Sequence, residues 1–150
     1  WCGPTPYFER LFRLRKQVLR ECGPEAYLWQ GAMLGNPGWW MAANMDQAEA
    51  AMAGRLESFA GTDIELERMD AVTSHDLRDL LGEIRAPTRV ICAQDDQITP
   101  LPLSQELADR IAGARLTVLA TGNHFAPATV PEDYDRVLTQ ALAELSGMMS

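Results

Sequence analysis

Apolar residues recur at helical spacing through the first 73 positions, whereas after position 87 they gather into two short β-branched runs separated by helical stretches. From Pro6 to about Glu21, the positions Tyr7, Phe8, Leu11, Phe12, Leu14, Val18 and Leu19 form a broad helical stripe, and Cys22-Gly23-Pro24 is expected to end it. A second helix is expected from Glu25 to about Met33, closed by the loop Gly35-Asn36-Pro37-Gly38. Met45, Ala48, Met52, Leu56 and Phe59 mark a third, with Gly61 after it. Thr62 and Glu65 have the spacing of a capping box that opens a fourth. No β run occurs among these pieces.

The second zone alternates. Ser74 can cap a short helix that carries Leu77, Leu80, Leu81 and Ile84 on one face. Thr88 to Ala93 reads as a strand. Thr99, with Pro100 or Pro102, begins a helix bearing Leu103, Leu107 and Ile111, and Gly113 turns the chain into a second strand from Arg115 to Leu119. Val130-Pro131 opens a last helix through Tyr134, Val137, Leu138, Ala141, Leu142 and Leu145. Strand, helix, strand, helix predicts two parallel strands joined by a crossover. The expected class is therefore α/β, a helical cap over residues 1–73 followed by a β-α-β-α unit over residues 74–150. Two parallel strands make a poor sheet alone, because parallel sheets are normally wide and covered on both faces. Further strands are expected from another segment or a second copy of the chain, the alternative being an unusual packing.

Acidic residues end the first strand run and a histidine follows the second. Of Asp95 and Asp96, the latter stands four residues before Pro100, just past the strand end, where a carboxylate can accept the Nδ1–H of an imidazole. His124 lies in the glycine-led loop Gly122-Asn123-His124, placed to act as a general base. His75 sits beside Ser74 and is assigned no role. The five serines (Ser58, Ser74, Ser104, Ser146 and Ser150) all lie outside any Gly-x-Ser-x-Gly elbow, and none of Cys2, Cys22 and Cys92 occupies an equivalent turn. Acid and base are thus present without a nucleophile. Large apolar side chains of the helical zone, Phe8, Trp29, Trp39, Trp40 and Met41, can pack a core or line a pocket. The adjacent Trp39-Trp40 pair is the hardest to bury completely.

These residues resemble a known family. Pro87-Thr-Arg-Val-Ile-Cys-Ala with Asp96 and Pro100, then Leu116-Thr-Val-Leu with Gly122-Asn123-His124, then Val130-Pro131-Glu132, look like the C-terminal signatures of α/β-hydrolases. Ile91-Cys-Ala followed by Asp95-Asp96, and Gly38-Trp-Trp-Met-Ala-Ala, resemble more narrowly the pyrimidine-utilisation protein D group, aminoacrylate or carbamate hydrolases. The resemblance implies a helical cap, with Asp96 and His124 as triad acid and base. Trp39, Trp40 and Phe125 are the expected substrate-binding side chains. It further implies a serine-type hydrolase of a small amide, carbamate or ester, needing no cofactor. Position 93 departs from the pattern, with Ala where many relatives have Gly. Because nucleophile elbow and oxyanion hole belong to the family's first half, the chain alone is expected to be inactive, its partner being that half or a second copy. The competing expectation is a non-catalytic, self-associating binding module.

Composition narrows the picture. A net charge of −8 argues against nucleic acid and anionic membranes as partners. No apolar run approaches the roughly 20 residues of a membrane span. Three cysteines without CxxC spacing, and no basic-then-apolar leader, point to reduced thiols in a cytoplasm. Two distant histidines offer no usual zinc spacing, so no metal is expected. An opening Trp1 in place of methionine fits a segment of a longer protein.

Overall fold

The computed structural model describes residues 1–148; Met149 and Ser150, the end of the expected second unit, lie outside the described residues. The element order is α1 (Pro6–Gly35), α2 (Gly38–Ala43), α3 (Met45–Glu57), α4 (Thr62–Ser74), a 3-10 turn (Leu81–Glu83), β1 (Arg89–Ala93), α5 (Leu101–Arg110), β2 (Arg115–Leu119), α6 (Ala126–Thr129) and α7 (Pro131–Met148). No helix among the described residues is long and apolar enough to cross a membrane.

Thr5 caps α1, its hydroxyl accepting the Phe8 N–H at 3.3 Å, and Pro6 occupies the first turn, where its missing N–H costs nothing. The expected stop at Cys22-Gly23-Pro24 is realised as a break within a longer element. Gly23 adopts φ 84° and ψ 179°, Pro24 follows, and the chain resumes as helix to Gly35. That backbone region is nearly exclusive to glycine, and open space surrounds the position. Gly23→Ala is therefore expected to cost about 1–3 kcal/mol through backbone strain alone, measurable by urea unfolding; an unchanged midpoint would contradict this.

Two further expectations are corrected. Thr62 does not cap α4. Gly61 holds the N-cap position and no side chain caps it, while Glu65 is drawn away to Arg68 and Tyr27. Ser74 does not open a helix but closes α4, its hydroxyl donating to the Ala71 carbonyl. The segment after it forms only turns and a single 3-10 turn, leaving Leu77 and Leu80 exposed. Arg78 organises this stretch by gathering Asp76, Glu106 and the Pro4 carbonyl. Finally, the segments containing Trp39-Trp40 and Ala126–Thr129 are short helices that periodicity does not reveal, being too brief to repeat.

Helices α1 to α4 enclose one core of Leu19, Tyr27, Leu28, Ala32, Met41, Met52 and Met69. β1 and β2 pair in parallel in register Arg89↔Arg115 through Ala93↔Leu119, forming a two-stranded sheet. Strand alternation sends side chains to opposite faces. Ile91 and Ala93 pack with Val137 and Tyr134 of α7, whereas the Cys92 thiol meets Ser104 of α5. Each face thus carries a helix, although Val118 stays exposed, and the outer strand edges are unpaired among the described residues. Among the described residues, three hydrogen bonds tie the helical layer to the strand loops. The Phe125 N–H donates to the Gly35 carbonyl at 3.0 Å, Tyr7 Oη to the Gln97 carbonyl at 2.5 Å, and Trp39 Nε1 to Thr121 Oγ1 at 3.3 Å.

Candidate active site

Parallel pairing brings the loops after β1 and β2 to the same, carboxyl end of the sheet, where ligands of open α/β sheets bind. Residues 28 positions apart in sequence therefore meet: His124 Nδ1 lies 3.0 Å from Asp96 Oδ2. Asp96 is held first by its own loop. Its Oδ1 accepts the backbone N–H groups of Ile98 and Thr99, each at 2.8 Å, and its Oδ2 accepts the Thr99 hydroxyl at 2.8 Å. The carboxylate is 7% exposed and the imidazole 31%, so the acid is shielded while the ring retains access to solvent.

Burial alone would raise the Asp96 carboxyl, but the hydrogen bond from His124, those from Thr99 and the nearby imidazole charge hold it below the ordinary carboxylate value. An ionised carboxylate only accepts hydrogen bonds, so the shared proton belongs on His124 Nδ1. That tautomer leaves Nε2 with a lone pair, and Nε2 makes no hydrogen bond to another described residue. The arrangement can take a proton at Nε2 and stabilise the resulting imidazolium through Asp96.

The depressed Asp96 value has a sign-definite consequence. Its contribution to stability is complete above the unfolded-state pKa of about 3.9 and disappears as pH falls through the lower folded value. The stability difference between wild type and Asp96→Asn should therefore shrink as pH drops below about 4. Chemical unfolding across that range checks it, and a difference that stays constant would contradict it.

Asp95, the neighbouring candidate, faces the other loop. Its Oδ2 accepts the Thr121 hydroxyl at 2.8 Å and its Oδ1 the Asn123 N–H at 2.9 Å. Asn123 is 2% exposed, adopts φ 52°, and its Oδ1 accepts the N–H groups of Gln97 and His124. Asp95 and Asn123 thus lace the two loops together and set where the imidazole stands. Thr99, Asn123 and Thr121 escaped the sequence reading. Asp96-x-x-Thr99 does have the spacing of an Asx or capping turn, which signals Thr99; Asn123 after a glycine signals a left-handed backbone.

Among the aromatic candidates, Phe125 stands edge-on to His124, with ring centroids 5.4 Å apart, and is partly exposed. Trp39 is exposed and leans on Thr121, beside the same loop. Trp40 instead packs against the helical core, as does Trp29, while Phe8 and Met41 are buried. A groove of about 290 Å³ runs from Asp96 and His124 along Ile91, Cys92 and Ser104. Burial pushes the Cys92 thiol up, which leaves it protonated and a poor nucleophile. Ser104 shares this groove, but no hydrogen bond joins it to His124. No cluster of three or more His, Cys, Asp or Glu among the described residues is arranged to hold a metal ion.

The fold recurs in known structures. The chain superposes on an α/β-hydrolase from a Medee basin deep-sea metagenome library with a TM-score of 0.82, at 16% identity, covering 95% of this chain and 53% of that one. The enol-lactonase of Burkholderia xenovorans gives a TM-score of 0.72 at 22% identity, covering 89% and 50%. The chain has the fold of an incomplete α/β-hydrolase, consistent with the C-terminal half. In sequence it is similar to proteins named "Putative carbamate hydrolase RutD". That of Pseudomonas savastanoi is 36% identical over 142 residues, which is 95% of this chain and 55% of the relative. That of Stutzerimonas stutzeri is 31% identical over 150 residues, 100% of this chain and 57% of the relative. The chain spans about half the length of the curated relatives it matches. No family model matches it.

Proposed function

We propose that the chain supplies the acid and base of a serine-type hydrolase whose nucleophile lies in the portion its relatives carry beyond the match. The observation that supports this most is the shielded Asp96 carboxylate bonded to His124 Nδ1, with Nε2 left unengaged. In this reading Nε2 takes the proton of a serine hydroxyl as it attacks a small carbamate, amide or ester carbonyl, then returns it to the leaving group. Asp96 and Thr99 keep the imidazole in the required tautomer, Asp95 and Asn123 fix its height above the sheet edge, and α1 to α4 form the cap. Phe125 and Trp39 contribute the substrate's apolar wall, and movement of the cap about its three tie points admits the substrate. Oxyanion donors come from the absent portion, so the chain alone does not turn over. The similarity to proteins named as carbamate hydrolases favours a carbamate or aminoacrylate substrate and a role in pyrimidine breakdown. Three free thiols fit a cytoplasmic location.

A fluorophosphonate probe on the protein at its full natural length tests this reading. Labelling is expected at one serine outside these residues and is expected to fail in His124→Ala. Labelling of Ser104, or of no serine, would contradict it. A second reading, a self-associating module, draws support from the unpaired strand edges and from exposed Val118 and Leu142. Light scattering of the chain alone distinguishes a discrete dimer from a monomer.

A further inference from the structure

Away from the Asp96–His124 groove, and sharing none of its lining, a cavity of about 340 Å³ opens between α1, α3 and α4. Arg15, Arg55 and Arg68 line it, together with Glu65 and the apolar or aromatic Tyr27, Leu28 and Phe59. Three guanidinium groups against one carboxylate make a positive island in a chain of net charge −8.

Arg15 is the unusual member. It is 9% exposed, forms no ion pair or hydrogen bond among the described residues, and its Nη1 is a fully buried donor without a partner. Its guanidinium lies over the Tyr27 ring, 4.5 Å from the centroid. Gly31 leaves it room, since a Cβ there would stand 3.2 Å from Nη2 and 3.4 Å from Nη1. Burying an ionised donor without an acceptor is expensive, and the face of one aromatic ring offsets only part of it. Of the other two arginines, Arg68 is committed to Glu65 at 2.5 Å, and Glu65 also accepts from Tyr27, so the lining carboxylate is not directed at Arg15. Arg55 makes no ion pair among the described residues.

We propose that this cavity binds the carboxylate of a small organic acid, anchored by Arg15 and Arg55. A guanidinium fork matches a planar carboxylate in two parallel hydrogen bonds. Phe59, the half-exposed apolar member of the lining, favours an acid with an apolar body over inorganic phosphate, which would leave that ring uncovered. The proposal is independent of the hydrolase reading.

The test is a titration of the ¹⁵N-labelled protein at full natural length with sodium benzoate, with sodium phosphate as a separate arm and ionic strength held by sodium chloride. The side-chain Nε–Hε signals of Arg15 and Arg55, assigned from their loss in Arg15→Met and Arg55→Ala, are expected to move saturably with benzoate. Arg55→Ala is expected to weaken that response at least about tenfold, the loss typical of one charged hydrogen-bonding anchor. His124→Ala is expected to leave it unchanged. Arg55 is exposed, so its variant carries the test should Arg15→Met fail to fold. Signals that do not move, that respond to phosphate as strongly as to benzoate, or that ignore Arg55→Ala would overturn the proposal.

Discussion

In the full-length protein, His124→Ala is expected to lower kcat for a small ester or carbamate by about 10⁴-fold or more, and Asp96→Asn by about 10⁴-fold. The two losses have different physical origins. Alanine removes the group that would accept the serine proton. Asparagine keeps the shape of the acid but presents an amide that can donate to Nδ1, which favours the tautomer with its proton on Nε2, where the lone pair is needed. It also removes the charge that would stabilise the imidazolium. The Ile98 and Thr99 N–H groups, both donating to Oδ1, still hold the residue at position 96 in place, so the fold should survive either change. In the proposed mechanism both residues act on one proton, so the double variant should lose little more than His124→Ala alone, a non-additivity that independent contributions would not show. Steady-state kinetics on the three variants decides this. A mild effect of His124→Ala with a severe one of Asp96→Asn would mean that Asp96 works through another group.

The second large effect lies in the loop that carries the histidine. Gly122 adopts φ 128°, and a Cβ on it would stand 2.7 Å from Val130 Cγ2, 2.8 Å from Ala126 Cβ and 3.1 Å from the Ala126 backbone. The neighbours cannot retreat easily: Thr129 Oγ1 donates to the Gly122 carbonyl at 2.6 Å, and Ala126 belongs to the core under β1 and β2. Gly122→Ala therefore combines backbone strain of about 1–3 kcal/mol with overpacking of similar size. Relief by moving the loop would carry His124 away from Asp96. The expected outcome is a loss of about 2–6 kcal/mol in unfolding free energy, with kcat in the full-length protein falling alongside. A stable variant with full activity would show that the loop tolerates displacement without consequence for the imidazole.

Much of the strand region was legible in the sequence because its signals are local. Thr88 to Ala93 and Arg115 to Leu119 are short β-branched runs bounded by turn residues, and the observed strands differ by one residue at the first start. The choice of Asp96 over Asp95 rested on distance from the strand end, and the structure brings that carboxylate to His124 while turning Asp95 toward Thr121 and Asn123. What escaped depends on partners distant in sequence. Glu65 forms no capping box because Tyr27 and Arg68 compete for it. Leu77 and Leu80 form no helix because Arg78 is pinned to Pro4 and Glu106, far along the chain. Trp40 turns inward and Trp39 outward on one six-residue helix, a division set by the core beneath it rather than by either neighbour. Asn123 and Thr99 serve the imidazole through hydrogen bonds to loops that only the parallel pairing of β1 and β2 brings together.

On the proposed reading, the unpaired sheet edges call for further strands and the half-length match leaves room for a nucleophile in the rest of the protein. Hydrolysis of a chromogenic ester measured for this chain, for the remaining portion, and for an equimolar mixture of the two tests this most directly. The account predicts two inert components and an active mixture, with activity lost when the chain in the mixture carries His124→Ala. Turnover by this chain alone, or by the remaining portion without it, would contradict the account.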